Sequence, residues 1–355
     1  MLFNPTDKEY LSNLMRRKIR YLNPIISIGI DVLMIGAVLL TFALFHLVLR
    51  FESEEPVVLP TPTLAPTVFR TPSPTPDATS TPTPEPTIDA DTSGTFGMKF
   101  YDKFTEEGET VLEDMRYISH DVSITVEKVS ETDLTYYVAD IYIRDISCFR
   151  TAFSSGDING TKRKRITELS KEVGAILAMC GDFCNVSPST PGIIVRNGTL
   201  YRDEVARNSD LCVMDYNGNF ILLESGTYTL DDVLALSPYQ TWCFGPNLVK
   251  DGELMQDFDK IGIKGLNPRS VIGIYEPGHY CFVLVDGRQG SYSRGLDLYK
   301  LAELMYNLGC TDAYNLDGGQ SAAMSLYHGI VNQPYNGGRR LGDIVYIADM
   351  TREEE

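Results

Sequence analysis

The sequence predicts an α+β fold: a mixed, strand-rich sheet domain with few helices, preceded by one transmembrane helix and a Pro/Thr-rich linker. Three observations predict it. From about residue 95 onward, short apolar segments alternate with turn residues, and only three stretches carry helical spacing. Residues 25–49, IISIGIDVLMIGAVLLTFALFHLVL, are apolar apart from Asp31 and His46. Ten of the nineteen prolines fall between Pro56 and Pro86.

Residues 1–24 read as a basic cytoplasmic tail, with Lys8, Arg16, Arg17, Lys18 and Arg20 against Asp7 and Glu9. The apolar run that follows is long enough to cross a bilayer core of about 30 Å, and residues 25–50 are expected to be a single uncleaved anchor. Basic residues lead into it and the acidic RFESEE follows, which places the N-terminus in the cytoplasm and the rest outside the cell membrane. Residues 51–94, typified by TPSPTPDATSTPTPEPT, cannot build a core and read as a disordered, extended spacer. The 31 residues from Pro56 to Pro86 would reach roughly 95 Å at about 3.1 Å per residue. The chain as a whole carries a formal charge of −17, a balance that excludes nucleic acid as a partner.

The domain at 95–355 opens with alternating strands in VSITVEKVS and YYVADIYIRD. A helix is expected in RITELSKEVG, a buried strand in AILAMC, and hairpins turning on Asn-Gly in GIIVRNGTLYR and CVMDYNGNFILLE. LVKDGEL turns on Asp-Gly, TLDDVLAL starts with a helix cap, and SVIGIYEPGHYCFVLVDG is a hairpin. LDLYKLAELMYNLG is the clearest helix, stopped by Gly309, and strands in AYNLDGG, AAMSLYHGIV and DIVYIADM close the domain. The seven cysteines include no C-x-x-C pair, so they read as small buried hydrophobes, with one or two disulfides open to them outside the membrane.

Three apolar strands each end in an acid beside a glycine: Asp182 in AILAMCGDF, Asp286 in CFVLVDGR and Asp317 in AYNLDGG. Taken singly, each reads as a turn. Together they mark a site, because loops at the ends of rigid strands carry catalytic groups and glycine admits a ligand close to the backbone. The amides after Asp317, from Gly318 through Gly319, Gln320 and Ser321, could form an anion nest. Arg269, Arg288 and Arg294 lie near the same loops and suit phosphate, or a surface ion pair. Asp182, Asp286 and Asp317 could also gather around Ca²⁺ or Mg²⁺, although no cofactor is required by the pattern, and the few histidines disfavour zinc. His279 sits in the hairpin turn EPGHY.

The stretch VLVDGRQGSYSRGLDLYKLAELMYNLGCTDAYNLDGGQSAAM resembles the phosphodiester glycosidases. GDFCNVSPSTPGIIVRNGTLYRD is similar to the family's Gly-Asp loop and arginine hairpin, TWCFGPNLVKDGE to its Phe-Gly-Pro stretch, NPRSVIGI to its Asn-Pro-Arg strand and GGRRLGDIVYI to its closing strand. The resemblance covers about 95–352 and implies hydrolysis of a sugar-1-phosphodiester, with a phosphate-linked glycan of a wall or secreted polysaccharide as partner. It implies catalytic work for Asp317 and Asp182, with Asp286 and Asn315 orienting groups. Phosphate or substrate contacts fall to Arg269, Arg288, Arg196 and the loop Gly318, Gly319, Gln320, Ser321. This chain departs from the family pattern at Cys180, Cys184, Gln320 and Ala322. The departures at Cys180 and Ala322 leave open a non-catalytic module that binds anionic glycopolymer, and a metal-dependent phosphodiesterase that cuts the P–O bond is a third reading.

Overall fold

The computed structural model describes residues 57–58, 96–183 and 191–350. The expected tail, the anchor at 25–50, the linker apart from Val57–Val58, and Cys184 lie outside the described residues. Among the described residues no helix is long and apolar enough to cross a membrane.

The described residues form one compact unit. It opens with β1 (Val57–Val58), β2 (Val111–Glu113), β3 (Arg116–Ile118), the long hairpin β4 (Val122–Glu131) and β5 (Leu134–Ile143), then β6 (Phe149–Phe153). Helix α1 (Ile166–Glu172) leads into β7 (Ala175–Cys180). Two hairpins follow, β8 (Ile194–Arg196) with β9 (Thr199–Arg202), and β10 (Leu211–Asp215) with β11 (Phe220–Leu223). Asn197 and Gly198, at φ 50° and 77°, make the first of these turns with the left-handed backbone that Asn-Gly supplies. After α2 (Leu230–Ala235), capped by the Thr229 side chain, come β12 (Pro238–Trp242), β13 (Asn247–Lys250) and β14 (Glu253–Leu254). The last elements are β15 (Arg269–Glu276), β16 (His279–Val285), α3 (Leu298–Asn307), β17 (Asp312–Leu316), β18 (Met324–Leu326), β19 (Gly329–Ile330) and β20 (Asp343–Ala348).

Two sheets carry most of these strands. One is nine-stranded, in the order β14-β13-β17-β15-β16-β5-β4-β3-β2, and one is five-stranded, in the order β19-β18-β7-β20-β6. All their pairings are antiparallel. Two three-stranded sheets, β11-β10-β12 and β1-β9-β8, complete the set; in the second, Val57 and Val58 of the predicted spacer pair with Leu200 and Thr199.

The main core lies between the two large sheets, where Ile141, Phe282, Ile272 and Tyr314 of one join Leu177, Met179, Ile344 and Tyr346 of the other. A second core covers the opposite face of the nine-stranded sheet, where α3 lays Leu298, Leu301, Ala302 and Met305 on Val271, Val283 and Val285. Those helical positions are the i, i+3, i+4, i+7 stripe, and each leucine so buried contributes about 1.5–3 kcal/mol. Strands β15 to β17 are therefore covered on both faces, which is why β16 reads HYCFVLV, with an almost unbroken apolar run. Asp297 caps α3 by accepting from Lys300 N (2.8 Å).

Register brings the predicted loops together. Val285 pairs with Arg269 and Leu316 with Ser270, so Asp286 and Asp317 leave the nine-stranded sheet at the same edge. Cys180 pairs with Ile344, so Asp182 and Asp343 share one end of the five-stranded sheet. The Asp317 amide donates to Gly181 O (3.1 Å), and the Cys180 thiol donates to Asp317 O (3.0 Å), lacing the two sheets where the acids emerge.

Candidate active site

Of the three predicted acids, Asp317 alone opens to solvent. Its side chain is 14% exposed, against none for Asp182. Burial pushes the Asp317 carboxyl up to about 6, opposed by the neighbouring Ser321 hydroxyl, the Arg339 guanidinium and the Gly318 amide. Arg339 Nη2 lies 3.4 Å from its Oδ2. The same guanidinium stacks over the Phe183 ring at 4.8 Å, and Phe183 holds a left-handed φ of 56° to present that ring.

Asp182 has a different occupation. Its two oxygens accept from Cys243 N and Phe244 N, both at 2.7 Å, and Arg196 Nη2 stands 3.5 Å away. The group expected to do catalysis instead clamps the 243–244 loop. Burial raises its carboxyl to about 6, against the opposing pull of Arg196. Arg196, expected to contact substrate, is 3% exposed and bridges Asp182 to Asp343, with a further bond to Thr241 O. Asp343 in turn accepts the Asp182 amide at 3.0 Å.

Asp286 is likewise internal. It accepts from Asn332 Nδ2 (2.7 Å), Tyr292 OH (2.9 Å) and Gln333 N (3.0 Å), fastening the end of β16 to the 332–333 segment. Burial raises this carboxyl while those three donors pull it down. Arg269, expected to hold phosphate, donates to the carbonyls of Leu296, Ile263 and Gly265 and is 5% exposed. Asn315 donates to Gly245 O (2.7 Å), and its buried Oδ1 has no partner among the described residues.

The expected amide nest is mostly spent. Gly319 N donates to Pro268 O, Ser321 N to Gly318 O and Ala322 N to Gly319 O, and the Gly318 amide serves the Asp317 carboxylate. The turn needs its glycines for close approach: a Cβ on Gly318 would lie 2.5 Å from Pro268 O. Gln320 ties this turn to the next loop, accepting from Arg339 N (3.1 Å) and donating to Gly338 O (3.4 Å). Arg288 stays at the rim, exposed, its guanidinium bonded to Asn267 Oδ1 and facing the Tyr335 ring.

Sequence reasoning missed Arg339 and Asp343. Both lie in GGRRLGDIVYI, where paired arginines before an acid that opens an apolar strand were the available signal. His279 bonds Asp140 (2.7 Å) and stacks on Tyr142 at the far end of β16, about 20 Å of strand from Asp286. Among the described residues no group of three or more His, Cys, Asp or Glu is placed to hold a metal ion.

Residues 173–348 match the phosphodiester glycosidase family model. This stretch belongs to the phosphodiester glycosidase family. The domain is similar to a SPbeta prophage-derived uncharacterized protein, YomE, of Bacillus subtilis (strain 168), at 23% identity over 256 residues, 66% of this chain. The chain spans 39% of that relative's length. It shares a fold with the zebrafish N-acetylglucosamine-1-phosphodiester alpha-N-acetylglucosaminidase catalytic domain, described as auto-inhibited by its pro-peptide. That likeness has a TM-score of 0.54 at 17% identity and covers 64% of this chain and 83% of the other.

Within this phosphodiester glycosidase domain the departure at Cys180 is structural. Its thiol is 1% exposed, lies 2.9 Å from Ser270 Oγ, and is pushed up to about 12 by burial, so it supplies no thiolate near neutral pH.

Proposed function

We propose that the protein is a hydrolase that splits a sugar-1-phosphodiester at the bond between the anomeric carbon and oxygen, with Asp317 as its working carboxylate. One observation carries this reading: among the three strand-end acids, Asp317 has the solvent-facing carboxyl, holds a proton to about pH 6, and sits beside an arginine. A group with that pKa exchanges protons efficiently near neutrality. The leaving phosphate is already an anion, so it needs a cation more than a proton. Arg339 is placed to receive it, with Arg288 at the rim, and the single accessible carboxylate is free to act as the base. Asp317 then draws the proton from water as its oxygen joins the anomeric carbon, and the C–O bond to phosphate breaks with its electron pair leaving on phosphate. Asp182, Asp343 and Arg196 position the floor beneath it, and Asp286 fastens the neighbouring loop.

The apolar residues 25–49 support a reading in which the domain is anchored and works outside the cell on wall or secreted polysaccharide. The test uses full-length protein, N-acetylglucosamine-1-phosphodiester and ¹⁸O-water, run in parallel with and without EDTA. Label in the released sugar is the expected result. Label in the phosphate, with loss of activity in EDTA, would instead identify a metal-dependent phosphodiesterase. Saturable binding without turnover would leave a glycopolymer-binding module.

A further inference from the structure

Next to the 318–321 turn lies a second, open cavity of about 540 Å³, lined by Asp133, Leu266, Arg288, Gly290, Ser291 and Arg294. The hairpin 288–294 builds it. Gln289 N donates to Ser293 O (2.9 Å), and Arg294 N donates to Asp133 O (2.8 Å), which fixes the hairpin against the β4–β5 turn. Arg288 and Gly290 adopt left-handed φ values of 59° and 58°, so the loop is shaped rather than slack.

The two arginines differ in their ties. Arg288 is oriented by Asn267 Oδ1, and a Cβ built on Gly319 would lie 3.3 Å from its Nη2, so its guanidinium borders both the cavity and the Asp317 turn. Arg294 makes no side-chain hydrogen bond or ion pair among the described residues, and Asp133 shares the cavity without pairing with either arginine. Two guanidinium groups in one cavity repel each other unless an anion joins them. On a chain of net charge −17, such a site is a local choice and not a consequence of bulk charge.

We infer that this cavity is a second anion subsite, which takes the next phosphate of a repeating sugar-phosphate polymer. This rests on the function proposed above and adds the substrate class, a chain of phosphodiester-linked sugars instead of a single one. Arg288 joins the two subsites, Arg294 supplies the fork for the second phosphate, and Ser291 with the exposed Leu266 offers a hydroxyl and an apolar face to the intervening sugar. Linking two phosphates in one ligand makes the second contact intramolecular, so length should raise affinity.

The experiment compares non-hydrolysable phosphonate analogues of one and three sugar-phosphate repeats, binding to full-length protein by calorimetry. In the wild type the three-repeat ligand is expected to bind about 10-fold tighter than the one-repeat ligand or better. In Arg294→Gln that ratio falls toward 1, with the melting temperature unchanged. A ratio near 1 in the wild type, or a ratio untouched by Arg294→Gln, overturns the inference. An equal gain from an oligogalacturonate of the same length overturns the phosphate assignment. Because the ligands are not turned over, these outcomes are read whether or not sugar is released from a single phosphodiester, so the two proposals fail separately.

Discussion

Asp317 and Asp182 share a sequence signature, an acid beside a glycine after an apolar strand, yet they end in opposite situations. Both carboxyls are raised to about 6 by burial. Asp182 has its two oxygens filled by backbone amides and faces a buried arginine, whereas Asp317 keeps an open side against an arginine at the rim. A perturbed pKa therefore does not by itself tell a working group from a structural one. What separates them is whether the carboxyl keeps a face open to solvent.

The largest expected effect sharpens this contrast. Asp317→Asn should lower kcat by about 10²–10⁴-fold while the melting temperature stays within a few degrees, as measured by steady-state kinetics and thermal melts. Retained activity in a folded variant would end the assignment. Asp182→Ala should do the reverse. It strips the acceptors from Cys243 N and Phe244 N and upsets the balance around Arg196, at a cost of about 3–5 kcal/mol in denaturant unfolding. An Asp182→Ala protein that melts like the wild type but is inactive would break the comparison.

The sign of the pH dependence gives a third test. The folded state raises the Asp182 pKa from 3.8 to about 6, so the native protein binds this proton more tightly than the unfolded chain. That contribution is fully present below about pH 4 and is lost as pH rises through about 6. Relative to Asp182→Asn, the wild type should lose about 2–3 kcal/mol of stability between pH 4 and 7, read from paired urea titrations. Last and smallest, Asp286→Asn keeps an oxygen acceptor for Asn332 or Gln333 and should cost only about 1–2 kcal/mol, with kcat within a few-fold of wild type.

Much of the framework was legible in the chain. The stripe Leu298, Leu301, Ala302, Met305 announced α3, the apolar run of β16 announced the second strand of a hairpin, and Asn197-Gly198 announced its own. Asp317 was legible as a strand-end acid among glycines. The occupations of Asp182, Asp286 and Arg269 were not, because their partners come from elsewhere. Asp182 meets Phe244, 62 positions away, and Asp286 meets Asn332, 46 positions away. Local pattern can place an acid at the end of a strand, but only tertiary pairing decides whether its oxygens remain available. Arg339 was hidden for the same reason, reaching Asp317 across 22 positions.

Gln320 has a consequence for how this site can change over generations. Its carbonyl and its side-chain amide hold the 338–339 loop, and Arg339 in that loop both pulls the pKa of Asp317 down and is the cation proposed to receive the leaving phosphate. Proton affinity and anion grip are thus mounted on one joint. Exchanges at 320 and 339 should be epistatic, with a double variant departing from the sum of its singles. An evolutionary path toward a new leaving group would have to move both positions together.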